Sequence, residues 1–312
     1  MRHWQTLKAS VRGAGHYRSG LPNQDAVRVC KDDRGLLVAL ADGHGSAKSF
    51  RSQRGARLAV IVAQRVCRQL FNFENPSQIK HWAEDRLPQE LVRRWREQVD
   101  KMLQRQPFTL RELASLDAVS RRQVEAQPYL AYGSTLLVVV VAPTFILYLQ
   151  LGDGDILTVS NNGNIERPMP KDDRLIGNET TSLCSDRAWN EVRVSFQTLA
   201  GAPPALILVA SDGYANSYRD AASFEQVAQD LWGMLQDEGE AAVNPYLHEW
   251  LNEASQQGSG DDISVGLVWR PVTETCVDNV TQTSVEQLTR YGWSRRIRFW
   301  LNHLGIISSN QP

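Results

Sequence analysis

The 312-residue chain predicts an α+β fold built on antiparallel sheets. Short apolar runs rich in Val, Ile and Leu recur along it, joined by turn-forming Gly, Pro, Asn and Asp. Helical periodicity is gathered into blocks instead of alternating with the strands, as a doubly wound parallel sheet requires. Composition is that of an ordinary globular protein, with 42% hydrophobic and 22% charged residues.

Taken in order, Trp4 to Val11 reads as a first strand, ended by Gly13-Ala14-Gly15, and His16 to Asp25 as a polar loop. Ala26 to Cys30 and Leu36 to Ala41 flank Asp32-Asp33-Arg34-Gly35, a hairpin turn. Arg57 to Leu70 carries Leu58, Ile61, Val62, Val66 and Leu70 at helical spacing. From about Asn75 to Gln127 the pattern stays helical. Pro88 suits a first turn, and Leu91, Trp95, Val99, Met102 and Leu103 share one face. A second piece, between Pro107 and Pro128, holds Leu110, Leu113, Leu116 and Val119.

Strands then return at Ser134–Val141, Phe145–Leu149, Ile156–Ser160, Ile165–Arg167, Val192–Phe196 and Leu206–Ala210. Phe224 to Leu235 and Tyr246 to Ala254 are helix-like, and Ile263 to Trp269 is a last strand. Residues 1–270 are expected to form one domain. Residues 271–312 are expected to be a polar linker followed by an amphipathic helical tail, which carries Trp293, Phe299, Trp300 and an Arg cluster suited to docking on a protein partner.

Several functions are disfavoured at once. A net charge of -1 gives no field for nucleic acid. The four cysteines lie far apart, against a zinc cluster or a disulfide scaffold. The longest apolar run, Leu136 to Ala142, falls short of the about 20 residues that span a bilayer. The N-terminus lacks a signal-peptide core, so a cytoplasmic protein, not an integral membrane one, is expected. No Gly-rich loop ends in Gly-Lys-Ser/Thr, and no Asp-rich loop ends in a bidentate Glu.

The chemistry lies in a recurring arrangement, an apolar strand that ends in Asp-Gly or Gly-Asp. It occurs at Ala41-Asp42-Gly43-His44-Gly45, Leu151-Gly152-Asp153-Gly154-Asp155 and Ala210-Ser211-Asp212-Gly213. Ser259-Gly260-Asp261-Asp262 precedes a strand, and Asn23-Gln24-Asp25 supplies one more acid. Each could be a surface turn. If they converge, their repulsion needs a counter-charge, which a hard divalent cation such as Mg²⁺ or Mn²⁺ supplies.

In this order, and with Gly133-Ser134-Thr135 and Asp261-Asp262-Ile263-Ser264-Val265, the segments resemble the signature stretches of the metal-dependent (PPM, type 2C) Ser/Thr protein phosphatases of bacterial type. The resemblance spans roughly residues 8–269. It implies two packed antiparallel β-sheets flanked by helical layers, a four-layer αββα sandwich. It also implies hydrolysis of phosphoserine or phosphothreonine on a phosphoprotein by a metal-bridging water, in opposition to a cognate Ser/Thr kinase. Asp42 would bridge two Mn²⁺ or Mg²⁺ ions, helped by the Gly43 carbonyl. Asp212 and Asp261 would hold the first ion, Asp25 would orient water, Asp153 would serve a weaker third ion, and His44 would be the general acid.

The chain departs from that pattern at three points. Gln24 stands where an acid is usual, and Asp155 where a base is usual. The phosphate-binding Arg is displaced, so that Arg18, or His16, is left to bind substrate. These departures keep open a non-catalytic binding or sensing module on the same fold.

Overall fold

The central apolar runs fold as strands because both of their faces are buried. The computed structural model describes residues 4–170, 180–199 and 201–271; the expected linker and tail lie outside them. The strands are β1 (Gln5–Val11), β2 (Ala26–Lys31), β3 (Leu36–Ala41), β4 (Leu136–Val141) and β5 (Phe145–Leu151). They continue with β6 (Asp155–Val159), β7 (Ile165–Glu166), β8 (Arg193–Thr198), β9 (Leu206–Ala210) and β10 (Ile263–Trp269). One sheet has the order β1-β10-β9-β6-β7 and the other β2-β3-β4-β5-β8. Every pairing is antiparallel, as the grouping of helices implied.

Alternation within β3 divides the core. Leu36, Val38 and Leu40 point between the sheets, against Leu137 and Val139 of β4 and Ile207 and Val209 of β9. Leu37, Ala39 and Ala41 point outward into a helical layer. Because both faces are covered, β3 and β4 are buried at all positions. Each such Leu or Val contributes about 1.5–3 kcal/mol relative to exposure.

The helices are α1 (Ala14–Ser19), α2 (Ser52–Cys67), α3 (Pro76–Asp85), α4 (Leu87–Arg105), α5 (Leu110–Ala114), α6 (Ala118–Ala126), α7 (Asp212–Ala215), α8 (Ala221–Asp237) and α9 (Glu240–Gln257). The layer over the β2–β8 sheet is built on α2 and the helices that follow it. α8 and α9 cover the other sheet through Phe224, Leu231, Leu247 and Leu251. The result is the expected four layers.

One expectation needs correction. The polar loop after Gly15 begins as a helix, α1, which buries no residue of its own. It forms because Gly13 N–H donates to Asp262 Oδ1 (2.6 Å) and Ala14 N–H to Ser255 Oγ (3.0 Å). In the second helical piece, Leu113 and Leu116 pack on the core, but Leu110 and Val119 are exposed. No helix among the described residues is long and apolar enough to cross a membrane.

On α4, Leu91, Trp95 and Val99 are buried as the spacing requires. Trp95 Nε1 donates to the Gly55 carbonyl of α2 (3.0 Å). Gly55 also meets the 128–132 turn so closely that a Cβ would lie 1.8 Å from the Tyr132 carbonyl oxygen. Gly55→Ala is therefore expected to cost about 1–3 kcal/mol through overpacking, read as a lower urea midpoint at unchanged slope.

Candidate active site

Separate segments bring carboxylates to one end of the sandwich. Ala26 of β2 pairs with Ala41 of β3, so Asp25 and Asp42, the next residues outward, stand at the same end. Ala210 of β9 pairs with Asp155 of β6 and Val265 of β10, which puts Asp212, Asp153 and Asp261 beside strand tips that also converge there. Asp42 is held by a reciprocal contact with Thr135. Asp42 N–H donates to Thr135 Oγ1 (3.0 Å), and Thr135 N–H donates to the Asp42 carbonyl (2.8 Å). Gly43 bridges Ser134, and His44 N–H donates to the Gly133 carbonyl (3.1 Å). The Asp-Gly-His and Gly-Ser-Thr motifs are thus one feature, the continuation of β3 against β4.

These acids lie close enough to perturb one another. Burial, then the charge of Asp262, pushes Asp25 up to about 8. Burial holds Asp42 well above the carboxylate range, reinforced by Asp25 and Asp212. Asp212 is raised by burial, with Asp153 and Asp261 adding to the effect. Asp42 feels the charges of Asp25, Asp212 and Asp261 together, a crowding of carboxylates that cannot all stay ionised without a counter-charge.

Both oxygens of Asp25 and Oε1 of Gln24 are buried without a hydrogen-bond partner among the described residues. The Ser211 and Ser264 hydroxyls lower Asp25 somewhat, though Ser264 gives its own proton to another partner. Ser211 Oγ accepts from Ser264 N–H and Ser264 Oγ donates to Ser10. Buried oxygens with no compensating Lys or Arg suit a hard divalent cation with oxygen ligands. The tightest group is a different one. Among the described residues, His16, Asp261 and Asp262 offer ligand atoms within 4.8 Å of one another.

His44 packs behind Asp42, where burial pushes its imidazole down and the charge of Asp153 pulls it back up. Its Nε2 lies 2.7 Å from Ser182 Oγ, which donates to the Ser134 carbonyl (3.1 Å). Gly133 makes room for the ring, since a Cβ there would meet His44 Cδ2 at 2.4 Å. Asp153 is exposed on the β5–β6 turn.

Arg18 is exposed on α1, its guanidinium beside Gly15 and Gly260. The base that meets the acidic pair is His16, with Nδ1 2.9 Å from Asp262 Oδ2 and Nε2 3.8 Å from Asp261 Oδ1. Asp262 is 2% exposed and also accepts from Gly13 N–H and Gln24 N–H (both 2.6 Å), so it ties both flanks of α1 to the start of β10. Asp155 pairs with Arg167. The roles of Ser182 and His16 carry no local sequence signal, because both depend on partners far along the chain.

Comparisons with known proteins agree with this architecture. A solved bacterial serine phosphatase aligns with a TM-score of 0.56 at 16% identity, over 88% of this chain and 100% of its own. The serine/threonine phosphatase Stp1 from Staphylococcus aureus gives 0.54 at 15% identity, over 85% and 94%. PppA, a regulatory component of T6SS in Pseudomonas aeruginosa, gives 0.52 at 16%, over 86% and 98%. At these identities the likeness is one of fold. No curated protein sequence matches. The family model for Protein phosphatase 2C matches residues 12–252, and the chain belongs to that family.

Proposed function

We propose that the chain is a metal-dependent protein serine/threonine phosphatase that hydrolyses phosphoserine and phosphothreonine by direct attack of water. One observation carries this reading: Asp25, Asp42 and Asp212 meet at one end of the sandwich, where burial and then the charges of neighbouring carboxylates, Asp261 among them, raise their proton affinity. Asp42, Asp212 and Asp261, with the Gly43 carbonyl, would hold Mn²⁺ or Mg²⁺, and Asp153 would hold a weaker third ion. When bound, such ions supply positive charge for the phosphoryl oxygens and lower the pKa of the attacking water.

The chain's own residues do the rest. Asp25, buried beside Asp42, accepts a hydrogen bond from the attacking water and fixes its direction. His44 donates a proton to the leaving seryl or threonyl oxygen. Burial keeps His44 neutral in the resting protein, and the dianionic phosphate ester together with Asp153 favours its protonation when substrate arrives. Arg18 or His16, both on α1, would steer the phosphate.

His44→Gln is expected to lower kcat on a phosphothreonine peptide by about 10²-fold with little change in KM. The loss should be much smaller on p-nitrophenyl phosphate, whose leaving group needs no proton. Equal losses on both substrates would remove His44 from the proton step.

Phosphate release from a phosphothreonine peptide with Mn²⁺, compared with EDTA, tests the proposal as a whole. Gln24, neutral where an acid is usual, favours a second reading, a non-catalytic binding module. Tight Mn²⁺ binding with no metal-dependent phosphate release selects that reading and rejects the first.

A further inference from the structure

A second site lies on the side of the sandwich. β1 and β2 are the edge strands of the two sheets, and they lie against each other along one open side. Side chains span this seam at its ends, where Asn23 Nδ2 donates to Ser10 Oγ (2.9 Å) and Lys31 Nζ donates to the Trp4 carbonyl. Between them is a cleft of about 520 Å³, walled by α2 on one side and α9 on the other.

Its lining is cationic. Lys8 comes from β1, Arg28 from β2, Arg57 from α2 and His248 from α9. All four are exposed. Lys8, Arg57 and His248 form no ion pair among the described residues, and Arg28 uses Nε on Gln64, leaving its terminal amino groups for another acceptor. The carboxylate among the lining residues is Asp25, which is itself buried. Asn23 and Asp25 carry one end of the cleft to the acid cluster.

Lys8, Arg28 and Arg57 set three permanent cations around one cleft. Such a cleft lowers the free energy of an anionic ligand and speeds its approach. Each edge strand also pairs on one side only, so unpaired main-chain groups suit an extended peptide.

We infer that this cleft binds an acidic, extended segment flanking the phosphorylated residue of a protein substrate. The inference rests on the proposed phosphatase activity for its substrate class, but its binding step does not depend on turnover. The apolar floor from Val60 and Ile61 takes the segment's aliphatic portions, while Lys8, Arg57 and Arg28 meet its carboxylates.

The test uses the full chain and Lys8→Glu/Arg57→Glu, with Lys8→Gln/Arg57→Gln as the neutral intermediate. A fluorescein-labelled peptide of Asp and Glu without phosphate is titrated by anisotropy. Its dissociation constant should rise about tenfold on charge reversal, less on neutralisation, and rise with salt. In turnover, a phosphothreonine peptide with acidic flanks should have a lower KM than one with neutral flanks. That preference should vanish in the charge-reversed variant, while p-nitrophenyl phosphate hydrolysis is unchanged.

Equal binding by wild type and both variants, or a preference that survives charge reversal, overturns the inference. Cleft-dependent binding with no metal-dependent turnover supports the cleft and rejects the phosphatase reading.

Discussion

Asp42→Asn is expected to cut Mn²⁺-dependent turnover of a phosphothreonine peptide by roughly a thousandfold, the scale of losing a principal electrostatic group in an active site. The same substitution should raise the melting temperature of the metal-free protein. Asp42 lies among Asp25, Asp212 and Asp261; burial, reinforced by their charges, holds its carboxyl well above the usual range. An amide removes one member of that crowded set and needs no proton to be buried there. Each kcal/mol relieved raises the melting temperature by about 2–4 °C in a domain of this size. Metal should then distinguish the two proteins. Mn²⁺ should stabilise the wild type by mass action, whereas the variant should show little shift. A variant as active as wild type, or one whose metal-dependent shift is undiminished, would count against Asp42 as a ligand.

Arg51→Ala should be the most damaging change outside the acids, at about 3 kcal/mol. Arg51 stands at the start of α2 with its side chain 4% exposed. Its guanidinium donates to both oxygens of Glu112 (2.8 and 2.9 Å), to the carbonyls of Gln106 (2.7 Å) and Pro107 (2.9 Å), and to Tyr132 Oη (2.7 Å). Truncation strands these acceptors around a void. Arg51→Lys should retain part of the stability, since an ammonium keeps the charge without the planar fork. Hydrogen bonds from Arg51 pull Glu112 down to about 2, below the about 4.3 of an unfolded chain. Its contribution is therefore complete above that unfolded value and is lost as pH falls through about 2. The difference in melting temperature between wild type and Arg51→Ala should stay constant from neutral pH to about 4.5, then narrow. Glu112 remains partly solvated, so this ion pair is a minor share of the total. A gap independent of pH throughout would assign the loss to packing alone.

The strands were legible because burial on both faces makes Leu36–Ala41 and Leu136–Val141 continuously apolar, and because turn residues sit between them. α1 was not legible. Its six residues bury no apolar face, and its start is fixed by Asp262 and Ser255, more than 240 positions away. The acids could be named from their motifs, yet their meeting depends on strand register, which local pattern does not specify. His16 illustrates the difference: nothing near it in sequence announces Asp261 and Asp262. The basic cleft was still less visible, since Lys8, Arg28, Arg57 and His248 are each a lone charge on an ordinary strand or helix.

The pairing of β1 with β10 also sets a timetable. Gln5 meets Trp269 and Val11 meets Ile263, so one of the first strands to leave the ribosome waits for one of the last. At about 5–20 residues per second, that wait is on the order of tens of seconds. Throughout it the apolar face of β1 has no sheet to join, and Asp262 is not yet there to fasten Gly13 and Gln24. The part of the acid cluster contributed by Asp25 and Asp42 can form early, but Asp261 arrives only as synthesis of the domain closes. The acid cluster of a nascent chain is thus incomplete until the last strand of the domain has been made.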